Sequence, residues 1–202
     1  DFKLGFGTGN QGVVGNADLS PEQTINGELG IQQQLTDDIG IDLTAYIRDI
    51  RNLAGTRADE IVIFGGSAKY SKYVNSDFGF VKGIVFSLDK RFSNKFSARV
   101  DYTYQVAHGS ASDPQQARNA RAGGALPEVQ LTPLDWDQRH TLNATLTYSG
   151  GSWGLSFIGQ YGTGTPYTPR RSTDITALLT NSQSKPQFIN LDARAFYEIR
   201  IN

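Results

Sequence analysis

An all-β fold, made of about eight antiparallel strands of a transmembrane β-barrel, is predicted by three features of the sequence. Apolar and polar residues alternate with a period of two along most of the chain. The connections between the alternating segments are short and long by turns. Aromatic residues gather near the segment ends. A β-strand turns successive side chains to opposite faces, so a period of two marks a strand whose two faces meet different surroundings.

The segments follow in order along the chain. Phe2, Leu4 and Phe6 predict a partial strand at the start. Ile25, Leu29, Ile31 and Leu35 alternate with Thr24, Asn26, Glu28 and Gln34, and Ile39 to Ile47 alternate with Asp42, Thr44, Tyr46 and Arg48. Ile84, Phe86 and Leu88 mark a further strand. The cleanest segment places Phe96, Ala98, Val100, Tyr102, Tyr104 and Val106 opposite Ser97, Arg99, Asp101, Thr103 and Gln105. Leu142, Ala144, Leu146 and Tyr148 oppose Thr141, Asn143, Thr145 and Thr147. Trp153, Leu155, Phe157 and Tyr161 oppose Gly154, Ser156, Ile158 and Gln160, a less polar second face. Ile189, Leu191, Ala193 and Ala195 oppose Asn190, Asp192 and Arg194.

Short turns are expected at Thr36–Asp38, Ser93–Lys95 and Ser149–Ser152, where polar residues or glycine suit a tight hairpin. Long connections are expected at Thr8–Gln23, Arg51–Ser76, His108–Asp137 and Thr163–Gln187. Outer-membrane barrels sort their connections in this way, short on the periplasmic side and long outside. A soluble barrel satisfies the same alternation with its apolar face inside. The aromatics Phe92, Phe96, Tyr104, Tyr148, Trp153, Tyr161 and Tyr197 lie near strand ends and decide for lipid, because an interfacial girdle needs them there. Val100, Tyr102, Leu142, Leu146, Leu155 and Phe157 are therefore expected to face lipid, and Arg99, Asp101, Thr145 and Gln160 the lumen.

Composition excludes several classes. Nineteen basic against twenty acidic residues give a net charge of -1, which argues against a nucleic-acid binder. With no cysteine there is no disulfide framework or thiolate chemistry, and with only His108 and His140 a histidine metal site is not expected. The densest apolar run, Ile61 to Phe64, falls far short of the ~20 residues of a membrane helix, and no signal segment opens the chain.

The isolated motifs have plain readings. Gly7-Thr8-Gly9-Asn10-Gln11-Gly12 matches GxGxxG, but Gly15 and Pro21 interrupt the helix that a dinucleotide site requires, so it reads as a glycine-rich loop. The sequon Asn143-Ala144-Thr145 lies mid-strand, away from any surface loop. His140 with Asp137 lacks a nucleophile elbow and reads as a strand-end polar residue, so no enzyme is expected. No cofactor is expected either. In the long connections, Tyr70, Tyr73, Trp136, Tyr167, Arg170 and Arg171 are the candidate ligand-binding residues, since aromatic planes and guanidinium forks suit polar ligands.

Several segments resemble one family. Gly15-Asn16-Ala17-Asp18-Leu19-Ser20-Pro21-Glu22-Gln23-Thr24 through Glu28-Leu29-Gly30 is similar to the N-P-x-L-x-P-E-x-[ST]-x-x-Y-E-x-G hallmark of TonB-dependent outer-membrane receptor barrels, with Ala17 and Gly27 in place of its Pro and Tyr. Leu43–Ile50, Val81–Ile84 with Leu88–Phe92, Pro133–His140 and Gly164–Thr168-Pro169 resemble further segments of that family, in particular its branch with an N-terminal carboxypeptidase-regulatory-like domain. The resemblance implies a barrel of about 22 strands around an N-terminal plug. Residues 1–202 would supply part of that barrel, from its C-terminal half, with no plug, no TonB box and no terminal aromatic strand. It further implies the outer membrane of a Gram-negative bacterium and uptake of a scarce nutrient. The implied partners are the lipid bilayer, the plug and remaining strands of the same receptor, TonB through the missing N-terminal part, and a small-molecule, glycan or peptide ligand. The alternatives are a self-contained eight-stranded barrel with a structural or adhesive role, and a soluble ligand-binding barrel.

Overall fold

The computed structural model describes residues 13–56, 61–62, 69–122, 131–169 and 180–199. The elements are β1 (Val13–Val14), β2 (Gln23–Gln34), β3 (Ile39–Thr56), β4 (Ile61–Val62), β5 (Lys69–Ser93), β6 (Phe96–Gly109), α1 (Gln116–Ala122), β7 (Thr132–Pro133), β8 (His140–Ser149), β9 (Trp153–Gly162), β10 (Pro166–Tyr167), β11 (Gln183–Ser184) and β12 (Phe188–Tyr197). Two compact units divide the chain.

The larger unit, formed by 26–48, 81–107 and 135–202, contains an antiparallel meander in the order β12-β9-β8-β6-β5-β3-β2. Each of these long strands lies beside the next long strand in sequence; the short elements β4, α1 and β7 and the β10–β11 hairpin fall in the connections between them. β2 and β12 are the two edges, so the described strands do not close on themselves. The expected strand at Phe2–Phe6 lies outside the described residues, which leaves seven long strands.

All three short turns are found, each with its own chemistry. Asn94 and Lys95 alone join β5 to β6, and both have positive φ (49° and 69°), as the central residues of a type I′ hairpin turn must. Gly151 takes φ 94° between β8 and β9, where the Gly150 N–H donates to the Trp153 carbonyl at 2.7 Å. Between β2 and β3 the Thr36 hydroxyl donates to Asp38 at 2.7 Å and accepts the Ile39 N–H at 3.1 Å. Asp38 also binds the next hairpin. Its carboxylate accepts the Ser93 hydroxyl and the Lys90 ammonium, the latter at 2.9 Å, and its carbonyl accepts the Arg91 N–H at 2.8 Å.

The smaller unit comprises 1–25, 49–80 and 108–134. Here β1 pairs parallel with β5, β4 pairs antiparallel with β5, and β7 pairs with the last residues of β6. Asn75 ties three segments: its amide donates to the carbonyls of Ser20 (2.9 Å) and Asn52 (2.6 Å) and its oxygen accepts the Ser20 N–H (2.8 Å). Leu134 is buried over Gly79 and Gly109.

The long connections contain more regular structure than the sequence predicts. β3 runs on to Thr56 and β5 begins at Lys69, so most of the expected Arg51–Ser76 loop is strand. The 25 residues of β5 are far more than the ~9 to 11 that cross a bilayer. Lys72, Asn75, Ser76 and Asp77 interrupt the apolar alternation there. The expected His108–Asp137 loop likewise holds α1 and β7, Thr163–Gln187 holds the β10–β11 hairpin, and Thr8–Gln23 holds β1.

On the polar face, glycines are roofed by aromatics. A Cβ on Gly83 would stand 2.6 Å from both the Tyr46 hydroxyl and the Tyr104 carbonyl, and the Tyr46 ring crosses β5 to donate to Gln105 at 3.2 Å. Phe196 covers its cross-strand partner Gly154, and Phe188 covers Gly162. Such pairs fill the gap a glycine leaves and fix register.

Two outcomes follow. Gly83→Ala should destabilise the folded protein by about 1 to 3 kcal/mol in denaturant titration, because the backbone carbonyl of Tyr104 has nowhere to move. Gly40→Ala, with nothing within 4 Å of its Cβ, should change stability by less than about 0.5 kcal/mol. The second outcome concerns pH. Hydrogen bonds from Ser93, then Lys90 and Thr36, hold the Asp38 carboxyl well below the usual carboxylate range. A depressed folded-state value means the contribution is complete above the ordinary value of about 4 and is lost as pH falls below it. Thermal unfolding in detergent should therefore show a loss between about pH 4 and pH 2 that is smaller in Asp38→Asn.

Candidate functional site

Register brings the alternating residues of separate strands into continuous rows. On one face Ala98, Leu146, Phe157 and Ala193 stand side by side across β6, β8, β9 and β12. Val100, Ala144, Gly159 and Leu191 form the next row, and Tyr102, Leu142, Tyr161 and Ile189 the one beyond it. Leu155 pairs with Tyr148, which pairs with Phe96, so all six residues expected to face lipid share this face. The opposite face carries the rows Arg99-Thr145-Ile158-Asp192 and Asp101-Asn143-Gln160-Asn190. Ile158 is its one apolar intrusion among these rows.

The two faces differ in chemistry as well as in composition. On the polar face Ser87 donates to Asp101 at 2.8 Å, Arg99 donates to the other Asp101 oxygen at 3.1 Å, and Arg48 donates to Asn26 at 3.0 Å. Asn190 reaches Asp192 at 3.3 Å, and Thr147 meets Ser156 at 3.3 Å. The apolar face leaves Leu146, Phe157, Leu29, Ile31, Ile189 and Leu191 exposed. Contiguous apolar surface on this scale marks a contact with lipid or with another protein surface.

The 135–140 segment, singled out in the sequence for its motif, folds into a polar clasp. Asp137 is fully buried: one carboxylate oxygen accepts the Ala107 N–H at 2.8 Å and the other accepts Arg139 Nε at 2.8 Å. Gln138 donates to the Thr163 carbonyl at 2.9 Å, and the His140 N–H donates to the Thr163 hydroxyl at 3.0 Å. Asp135 accepts the buried Asn181 amide at 2.7 Å, which fixes the end of the connection after β10. The clasp thus aligns the starts of β8 and the ends of β6 and β9. His140 opens β8 as a strand-end residue, with its Nδ1 2.8 Å from the Tyr102 hydroxyl and its ring against Tyr104. Nothing in the sequence pattern marked Asp137 as the centre of this network, since its main partner is thirty residues distant.

The candidate ligand residues are dispersed. Tyr70 and Tyr73 lie on β5 in the smaller unit; Tyr70 pairs with Ile61, and the Tyr73 hydroxyl accepts the Gln115 amide at 3.0 Å. Trp136 and Tyr167 lie in the larger unit, both exposed, with the Tyr167 hydroxyl donating to Gln183 at 2.7 Å. Arg170 and Arg171, like the Gly7–Gly12 motif, lie outside the described residues. Among the described residues no group of three His, Asp or Glu side chains is placed to hold a metal ion. Asn143 of the sequon sits mid-strand, paired with Asp101 and Gln160.

An open antiparallel sheet with one apolar and one polar face has the pattern that the wall of an outer-membrane barrel requires. Residues 2–202 match the family described as TonB dependent receptor-like, beta-barrel, and the chain belongs to that family. It is a family of receptor and transporter barrels, not a class of enzymes. Comparison with proteins of curated function returned no match. Among solved structures the chain is similar to the outer membrane transporter YddB from Escherichia coli, with 10% identity and a TM-score of 0.67 over 93% of this chain and 27% of that one. It is similar to the ferric-catecholate import receptor Fiu from E. coli K12, in its closed form, with 15% identity and a TM-score of 0.62 over 93% and 23%. The FrpB iron transporter from Neisseria meningitidis gives 14% identity and 0.58 over 92% and 26%. The chain therefore spans about a quarter of the length of the structures it matches.

Asp137→Ala should cost about 1 to 3 kcal/mol, since it leaves the Ala107 N–H buried without an acceptor. Arg139→Ala should cost at least as much, because it leaves the fully buried Asp137 carboxylate without its counter-charge. Paired denaturant titrations of the two variants measure the difference.

Proposed function

We propose that residues 1–202 are part of the barrel wall of an outer-membrane receptor that takes up a scarce solute with energy relayed by TonB. The supporting observation is the separation of faces: the rows through Leu142, Leu146, Phe157 and Leu191 present hydrocarbon, and the rows through Arg99, Asp101, Asn143 and Asp192 present charge and amide groups. In this reading Val100, Tyr102, Leu142, Leu146, Leu155 and Phe157 contact lipid and the polar face lines the lumen. The plug, the remaining strands and the TonB-contacting segment belong to the rest of the receptor. The long connections lie outside the cell, where Tyr70, Tyr73, Trp136, Tyr167, Arg170 and Arg171 would meet a small-molecule, glycan or peptide ligand. Membership of a receptor and transporter family favours binding and transport over catalysis. A self-contained barrel would pair β2 with β12, and these are the sheet's opposite edges with every residue exposed.

Leu146→Arg should destabilise the membrane-inserted protein by about 2 to 4 kcal/mol, and Thr145→Arg by much less, although the two are adjacent in sequence. Folding titrations into lipid vesicles that gave equal losses would contradict the lipid assignment. Excision of Pro166–Pro186, which removes the β10–β11 hairpin, should impair solute uptake by the complete receptor in cells and leave the barrel assembled in the membrane. Undiminished uptake would remove this connection from the capture surface.

A further inference from the structure

We propose that Lys82 holds the phosphate of a lipid headgroup of net negative charge on the apolar face of β5; this rests on the reading of that face as lipid-facing. Along this face the strand presents Lys90, Leu88, Phe86, Ile84 and then Lys82. The neighbouring residues Val81 and Gly83 are buried on the other side, Gly83 beneath Tyr46, so the Lys82 side chain is committed to the apolar face. The two lysines are bound differently. Lys90 is hydrogen-bonded to Asp38 and Ser93, whereas Lys82 is exposed and has no hydrogen bond or ion pair among the described residues.

Spacing sets the level of Lys82 in the membrane. From Lys90 to Lys82 the strand rises about 26 Å, or about 20 Å along the membrane normal at a tilt of about 40°, close to the height of an apolar barrel band. Tyr102, Tyr104 and Tyr161 lie at this end of the sheet, as Tyr148 and Trp153 lie at the other. The Tyr104 carbonyl lies against Gly83, Tyr104 pairs with His140, Tyr102 bonds His140, and Tyr161 pairs with Leu142. A lysine at this level runs its methylenes along acyl chains and lifts its ammonium to the headgroups. The surrounding hydrocarbon excludes a soluble acidic partner and admits a lipid, and the ammonium then meets phosphate as a point charge.

The test uses the complete receptor in phosphatidylcholine vesicles containing increasing phosphatidylglycerol, with retained lipid counted by native mass spectrometry. Lys82→Gln should weaken anionic-lipid retention about fivefold and leave phosphatidylcholine retention unchanged, and Lys82→Arg should keep the wild-type value. Unchanged heat-modified mobility on gels identifies variants that have folded. Equal retention of phosphatidylglycerol by the folded wild type and Lys82→Gln would overturn the proposal. Competition by inorganic phosphate would also overturn it, by assigning Lys82 to a soluble anion. If neither lipid is retained by the wild type, the lipid-facing reading itself fails.

Discussion

Hydrogen bonding between neighbouring strands is the constraint from which the other features of the larger unit derive. In hydrocarbon a backbone N–H or C=O has no water to turn to, so each strand must find its partners in the next. Once register is fixed by that ladder, a period of two in sequence becomes a division of faces in space. Ala98, Leu146, Phe157 and Ala193 come from four strands and more than ninety residues of chain, yet they form one row because their ladders agree. A slip of one residue would carry Arg99 and Asp192 into the apolar face.

The devices that hold register are polar or small, and they lie at the ends of the sheet or on its polar face. At the short-turn end, Asp38 joins two hairpins through Ser93, Lys90 and the Arg91 N–H. Toward the other end, the buried Asp137 carboxylate receives the backbone of β6 and the guanidinium of Arg139. Between them Tyr46, Phe188 and Phe196 each lie over a glycine. In the proposed reading the apolar face needs no such device, since any hydrocarbon side chain suits a lipid neighbour. That freedom explains why it carries the simplest chemistry in the sheet.

Legibility in the sequence follows the same division. β6 and β8 are legible almost to their ends because Phe96–Val106 and Thr141–Tyr148 alternate without interruption, and β9 is legible because Trp153–Tyr161 alternates apart from Ile158 and Gly159. The tight turns were readable from Thr36–Asp38, Ser93–Lys95 and Ser149–Ser152. The far halves of β3 and β5 are not, since Asn52, Lys72, Asn75 and Asp77 carry no apolar period. α1 is two turns long with no acidic residue in its first turn, too short to show a helical stripe. The Asp137 clasp was hidden for another reason: the motif marked the residues, but their partners at Ala107 and Thr163 are set by topology. Side-chain type alone marks the candidate ligand residues, and in the structure Tyr73 and Tyr167 hydrogen-bond to Gln115 and Gln183.

The division of faces is tested most directly by spin labels placed singly from Thr141 to Tyr148 on β8, with the complete protein in lipid vesicles. Collision with oxygen, which concentrates in hydrocarbon, should peak at Leu142, Ala144, Leu146 and Tyr148. Collision with a water-soluble nickel chelate should peak at Thr141, Asn143, Thr145 and Thr147. The opposite phase, or equal access of the nickel chelate to both sets, would contradict the assignment of the apolar face to lipid.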